Sequence, residues 1–502
     1  MISKGIVTAA IIIVGFFLIM LVVANPKSKL NTTPLDSLER KHFIIICFAL
    51  IATVLICTLP MGLSPMYNGE IHYYIDEYEK TARAFLEGHL YIDNGDVSKE
   101  LLEMDNPYDY YERVRLGVDF QWDHAFYNGH YYMYFGVAPV FLLFIPFRLI
   151  TGTDLTGYHA TQIFTAFFIL AVFLLFRLFA KKFFKNISLS AYIFLSASFS
   201  IMSVWYAVAA PALYCTAIMS ALCLMIWGIY WFFKAVYDTE NENKAIALAA
   251  LGSFCSALTF ACRPSIALAN VVVLPLLITF IRQRKITFML IIKLILAALP
   301  YVIVGVLLMA YNNARFDSPF EFGQTYQLTI TDQSNYADAA SRIDLLATVK
   351  GVYQMLFKPE PASSFVNTGS FITFPVLCFT LIPWLNKKVW KTVKEEKLFG
   401  LLFFLYLAVA MIIFIDVLWS PVIIARYKMD IVWLMSITDY LMIGILYKNV
   451  KNKPAFSYFL TIMSMLTVIA AFLLFLYPYD NNFTIYYADQ IQQETGISIL
   501  FN

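Results

Sequence analysis

Hydrophobic positions run through the chain in blocks of about 20 residues, separated by short turns rich in lysine and arginine. Each block can cover ~30 Å of hydrocarbon at ~1.5 Å per residue, so the pattern predicts a polytopic helical membrane protein rather than a barrel of short alternating strands. The blocks fall at residues 6–24, 42–62, 156–180, 189–208, 211–233 and 245–261, then in a stretch reaching Arg282, at 286–310, 369–386 and 398–418, in a stretch reaching Lys448, and at 455–477. They amount to about twelve crossings in one domain covering residues 1–502. The segment 134–150 is also apolar, but it carries two prolines and ends near Arg148. A full crossing there would put every later basic turn on the wrong side, so it is read as a juxtamembrane or re-entrant helix.

Basic residues give the direction. Lys27, Lys29, Arg40 and Lys41 precede the second block, and Lys181, Lys182, Lys185, Lys234, Arg282, Arg284, Lys285, Lys387, Lys388, Lys448 and Lys451 fall in turns of the same parity. The positive-inside rule places these turns in the cytoplasm. The long polar loop 63–133, a second loop 311–368 and the tail 478–502 are then extracytoplasmic, with the plasma membrane as the expected location. The opening stretch Met1–Asn25 has the charge and length of an uncleaved anchor more than of a signal peptide.

Composition agrees. The chain is 60% hydrophobic and 14% charged, where soluble domains are roughly 25% charged, and its mean hydropathy is +0.69. A net charge of +2, spread over turns, argues against a nucleic-acid partner. The seven cysteines lie in or beside apolar blocks without metal-ligand or disulfide spacing. No P-loop, dinucleotide fingerprint or zinc motif is present. Lys293 and Asp439, the ionisable residues deepest in the blocks, lie within about two to three turns of a cytoplasmic end and are read as structural.

Chemistry is concentrated in the first loop. From Ile75 to Leu90 the apolar residues Ile75, Tyr78, Ala82, Phe85, Leu86 and Leu90 recur at helical spacing, with Asp76, Glu79, Lys80, Arg83 and Glu87 opposite, which predicts an amphipathic interfacial helix. The residues alone favour Asp76 as its cap, paired with Lys80. Asp123 and His124 follow Trp122, then come Gly129, His130, Tyr131, Tyr132 and Tyr134. The second loop holds Arg315 among aromatics, and its residues Ile343, Leu346, Val349, Tyr353 and Leu356 predict another interfacial helix.

The Asp76-Glu77 pair with Tyr78, opening an interfacial helix after an outward crossing, resembles the first extracytoplasmic loop of GT-C class membrane glycosyltransferases, which include protein O-mannosyltransferases and lipid A aminoarabinose transferases. The aromatic run Gly129-His130-Tyr131-Tyr132-Met133-Tyr134 leading to Pro139, and Ala425-Arg426-Tyr427 before the eleventh crossing, are similar to further segments of bacterial members. His-Pro-Pro of the mannosyltransferases and Trp-Trp-Asp-Tyr-Gly of oligosaccharyltransferases are absent. The resemblance implies an all-α GT-C-like fold and transfer of a sugar, with inversion, from a polyprenyl-phosphate donor to an extracytoplasmic glycan, lipid or protein. It implies Asp76 as general base with Glu77 beside it, donor-phosphate binding by Arg426, Arg263, His130 and Arg315, and a cavity lined by Tyr78, Asp123, His124, Tyr131, Tyr134 and Tyr427. No cofactor and no metal site is expected, because protein cations would hold the phosphate. The alternative is a flippase or secondary transporter for a lipid-linked saccharide, which would place paired polar groups near the bilayer midplane.

Overall fold

In the computed structural model the described residues are 22, 25–37, 39–63, 76–93, 95–211, 213–334, 344–419 and 423–475. The predicted first crossing, the residues Tyr73 to Ile75, the residue Ile343 and the C-terminal tail lie outside them. Ten helices among the described residues are long and apolar enough to cross a membrane. They are α1 (Arg40–Thr58), α6 (Gly157–Phe183), α7 (Leu189–Ala209), α8 (Tyr214–Tyr237), α9 (Glu242–Phe260), α10 (Pro264–Arg282), α11 (Phe288–Phe316), α14 (Phe399–Trp419), α15 (Tyr427–Asn449) and α16 (Lys453–Phe475). Side chains of Thr156, Ser188, Asn241 and Thr287 each accept a backbone N–H at the start of α6, α7, α9 and α11, supplying acceptors to otherwise orphaned donors.

Helices α7 and α15 form the interior. In their most apolar windows 89% and 94% of residues are buried, against 11% for α11, which exposes its flanks. Small residues allow close approach: Ser203 and Ser436 hydroxyls stand 3.5 Å apart between α7 and α15, and Gly444 lies under the Phe184 ring.

The segment 134–156 begins and ends on the same face. It makes a π-turn, Val140–Phe144, and a short helix α5 (Ile145–Thr151), and then Gly157 donates its N–H to Glu79 Oε1 at 2.6 Å, bringing the start of α6 back to the first polar loop. Residues 369–386, expected as a continuous crossing helix, are instead three short turns, Ser370–Thr373, Pro375–Thr380 and Ile382–Leu385. Thr368 at the start of this path meets Lys428 at one end of α15, and α13 (Lys387–Glu395) after it meets Asn449 at the other end, so the chain still passes from one face to the other. Pro375 and Pro383 prevent continuity, and packing against α15 and α16 shields the irregular backbone.

On the face opposite the lysine-rich turns, the two polar loops form one unit. It contains α2 (Glu77–Glu87), α3 (Lys99–Glu103), α4 (Tyr110–Leu116) and a hairpin of β1 (Ala125–Tyr127) and β2 (His130–Tyr132). Asn128 and Gly129 both take positive φ, 49° and 77°, as a two-residue hairpin turn requires. The second loop adds to the hairpin: Asp123 N–H donates to Leu328, Leu328 to His124, and Phe126 to Tyr326. Arg113, fully buried, donates to the carbonyl of Thr329 at 2.8 Å and lies 4.4 Å from the Phe120 ring. The interfacial helix α12 (Leu345–Leu356) leaves Leu345, Leu346 and Val349 exposed on one apolar side.

Gly136 ties this unit to the helices. A Cβ there would stand 2.3 Å from the carbonyl oxygen of Ala261 and 2.4 Å from that of Cys262, whereas one at Gly305 on α11 would meet nothing within 4 Å. Because the obstructing atoms are backbone, Gly136→Ala is expected to cost about 1–3 kcal/mol, in the range of overpacking. Thermal unfolding of detergent-purified protein checks this against Gly305→Ala, which should leave the midpoint nearly unchanged.

Candidate active site

Helix α2 carries its acidic start against the bundle. Asp76 is the residue before the first helical turn; its side chain caps no backbone N–H and instead meets Lys80 Nζ at 3.1 Å, leaving it 45% exposed. Glu77, Tyr78 and Glu79 are all buried. Tyr78 stacks on Phe144 and Phe135, with ring centroids 5.3 and 6.3 Å away. Both Glu77 oxygens lack a hydrogen-bond partner among the described residues. Burial, then the nearby Asp123 and Asp76, raise the Glu77 carboxyl well above the usual carboxylate range, which favours its protonated form. Burial also pushes Glu79 up to about 8.

Asp123 precedes the hairpin in the left-handed region, φ 59°, a conformation that aspartate tolerates better than most residues. Its Oδ1 accepts from Gln327 Nε2 at 2.8 Å, so both polar loops hold it. Burial raises its carboxyl to about 6, opposed by the Arg426 guanidinium, and it is mainly ionised at neutral pH. His124, with no exposed surface, has Nδ1 2.9 Å from the Trp122 carbonyl, which favours the Nδ1–H tautomer. Its Nδ1 is also 3.8 Å from Glu77 Oε1. Burial lowers the imidazole to about 4, so His124 is neutral at neutral pH and this contact is not an ion pair.

Arginines arrive from much later in the chain. Arg426 lies 3.8 Å from the Tyr214 ring centroid, within electrostatic reach of Tyr134, Tyr206 and Asp123, and no carboxylate closes a salt bridge with it among the described residues. Arg263 donates through Nε and Nη2 to Asp430 Oδ2 at 2.9 and 2.7 Å. Tyr427 sits between the two, its ring centroid 5.8 Å from each guanidinium carbon. Glu77, Asp123, Tyr134, Arg426 and Tyr427 therefore form one cluster, with Asp76 at its Glu77 side and Arg263 behind Tyr427.

Three sequence-selected residues stand elsewhere. Arg315 is buried, donates to the Met133 carbonyl at 2.7 Å and to Asn312 Oδ1 at 3.0 Å, and packs on Tyr311 and Phe316. His130 is exposed and stacks on Tyr91 at 4.3 Å. Tyr131 fills a small core with Phe126, Leu101 and Leu328. Conversely, Gln327, Tyr214, Asp416 and Asp430 belong to the neighbourhood and were not singled out from sequence. Asp416 and Asp430 carried a readable signal, as carboxylates within apolar helices flanking Arg426. Among the described residues no group of three or more His, Cys, Asp or Glu is placed to hold a metal ion.

No family model and no curated protein matches the sequence. Among solved structures the chain is similar to the oligosaccharyltransferase of Archaeoglobus fulgidus in its apo form, with a TM-score of 0.45, 12% identity, and coverage of 86% of this chain and 56% of that one. It is also similar to the same enzyme tethered through a disulfide bond to an acceptor peptide containing the NVT sequon, with a TM-score of 0.43, 13% identity, and coverage of 91% and 57%. The chain thus spans little more than half of that protein's length. At these values the activity of this chain has to be argued from its own residues.

The raised carboxyls set a pH dependence of stability. Asp123 titrates near 3.8 when unfolded and about 6 when folded, and Glu79 near 4.5 and about 8. The folded state holds these protons more tightly, so the contribution of these two groups to stability is fully present below pH ~4 and is lost as pH rises through these windows. Thermal melts in detergent should show a midpoint declining from pH 5 to 8. Glu79→Gln keeps the acceptor for the Gly157 N–H and removes the titration, and should flatten the upper part of that decline.

Proposed function

We propose that this chain is a GT-C-type glycosyltransferase that moves a sugar from a polyprenyl-phosphate donor to an acceptor on the extracytoplasmic side. The observation that carries the reading is the convergence of Arg426, without a salt bridge among the described residues, on Asp123 and Tyr134, with Glu77 beside them, from segments about 300 residues apart in sequence. Arginine without a fixed carboxylate offers a planar set of donors suited to a phosphate. Beside it an apolar cavity of about 420 Å³ runs from α12 along α14 and α15, lined by Leu356, Phe371, Tyr406, Ile413, Met435 and Thr438. Met435 lies nine residues below Arg426 on α15, ~14 Å by helical rise, so a phosphate at Arg426 could trail its prenyl chain into this space.

In the proposed reaction an acceptor oxygen attacks the anomeric carbon, the bond from that carbon to the phosphate oxygen breaks with inversion, and the acceptor proton passes to a carboxylate. Asp76 is the proposed base, being accessible and held 3.1 Å from Lys80 Nζ. Glu77, whose burial favours the protonated form, is suited to donate a hydrogen bond and not to accept the proton. Arg426 would hold the departing phosphate, with Arg263, already neutralised by Asp430, behind it. Asp123 is held by Gln327 and faces Arg426, a position suited to fixing that guanidinium.

One observation favours the transporter reading. Asp439 is fully buried near the middle of α15, and neither of its oxygens has a hydrogen-bond partner among the described residues.

Purified protein in detergent, where transport cannot register, separates the two. Labelled sugar should move from a synthetic polyprenyl-phosphate donor to an acceptor drawn from lipid, glycan and peptide classes. Asp76→Asn should lower the rate by about 10²- to 10⁴-fold, the usual worth of a general base, and Arg426→Gln should chiefly raise the donor KM. Full activity of Asp76→Asn with a dead Asp123→Asn would move the base to Asp123. Absence of transfer, together with Asp439-dependent uptake of a lipid-linked saccharide in vesicles, would overturn the transferase reading. Activity should survive a chelator, and its complete loss would show that a metal is required.

A further inference from the structure

At the far end of the bundle from this cluster, α6 and α8 enclose a cavity of about 180 Å³ between Lys181, Lys182, Lys185, Phe233, Tyr237 and Asp238. Helix α6 has 27 residues, ~40 Å of rise against ~30 Å of hydrocarbon, so its last turn stands at headgroup level. Lysines at such an end are ordinarily explained by topology and by the favourable C-terminal end of the helix dipole. These three converge on a concavity. Lys181 pairs with Asp238 at 2.5 Å, Lys182 lies over the Tyr237 ring at 5.0 Å, and Lys185 has no carboxylate within ion-pair distance among the described residues. The other facing carboxylate is Asp36, within electrostatic reach of Lys185 and Lys181.

We propose that this cavity binds the phosphodiester headgroup of an anionic phospholipid from the leaflet on the lysine-rich side. Three ammonium groups, Lys181, Lys182 and Lys185, face two carboxylates, Asp238 and Asp36, and leave one positive charge uncompensated, which matches one phosphodiester better than a doubly charged free phosphate. The walls supply the second argument. Phe233 is buried and Tyr237 partly so, giving an apolar side along which the glycerol and first methylenes can lie. The volume is below the ~300 Å³ of sites for drug-sized ligands, a size fit for a headgroup phosphate. Basic pockets between helices on this side of a membrane protein are a recognised form of lipid site.

The full chain, purified into nanodiscs of phosphatidylcholine with a minor fraction of phosphatidylglycerol, tests the proposal by native mass spectrometry of lipid retained after delipidation. Retention of one phosphatidylglycerol per chain, in preference to phosphatidylcholine, is expected. Lys182→Gln with Lys185→Gln should weaken that retention by about 30-fold, the worth of two lysines at an anionic surface, with unchanged circular dichroism. Lys387→Gln with Lys388→Gln, two exposed lysines on the same face, should leave it intact. An equal loss in this second pair, or no preference for phosphatidylglycerol, would overturn the site. Displacement of the lipid by millimolar inorganic phosphate would overturn the lipid assignment in favour of free phosphate.

Discussion

A charged side chain taken out of water must find its counterpart inside the protein, and the first turn of α15 is where this chain meets that requirement most densely. Asp430 accepts from Arg263, Tyr427 fills the space between Arg263 and Arg426, and Lys428 donates to the carbonyls of Val366 and Thr368 at 2.8 and 2.6 Å. These contacts bind the connection before α10 and the end of the second loop to one helical turn. Among the described residues Arg426 has no carboxylate at salt-bridge distance, whereas Arg263 is paired with Asp430 and Lys428 spends its ammonium on two carbonyls. The surrounding pairs keep that turn in place while one guanidinium remains available, and breaking any one of them would leave a buried charge uncompensated at a cost of several kcal/mol.

The crossings were legible because hydrocarbon imposes length and composition directly on sequence, and α6, α7, α8, α14 and α16 begin and end within a few residues of the hydropathy blocks. The path 369–386 misled because hydropathy averages over proline. Pro375 and Pro383 within one block were the available sign that the backbone would break. Asn128-Gly129 between aromatic residues was likewise a readable hairpin signal. The joining of the two polar loops was not readable. The backbone bonds between His124 and Leu328 link residues about 200 apart with no periodicity to announce them, and the carboxylate of Asp123 is oriented by that pairing.

The acidic pair illustrates the same division. Sequence puts Asp76 and Glu77 side by side and suggests similar carboxylates. In the fold one stands in partial contact with water beside a lysine, and the other is enclosed next to a neutral imidazole. One helical residue of rotation separates the two environments, so an accessible and an enclosed carboxyl stand at adjacent positions, and burial raises only the second well above the usual carboxylate range. Arg315 shows the reverse. As a cation in an aromatic loop it resembled a ligand-binding group, and in the fold it donates to the Met133 carbonyl and Asn312 Oδ1, bracing the chain just before Tyr134.

The broken crossing has a consequence for the cluster. A continuous helix over 369–386 would have satisfied its own backbone and needed nothing from its neighbours. Ending in short turns, the segment leaves carbonyl groups to be satisfied from outside, and the Tyr406 hydroxyl donates to that of Thr380, while Lys428 donates to the carbonyls of Val366 and Thr368 just before the segment. Phe371, Thr380 and Tyr406 are also walls of the apolar cavity. The residues that compensate the irregular backbone thus fix the shape of the space beneath Arg426.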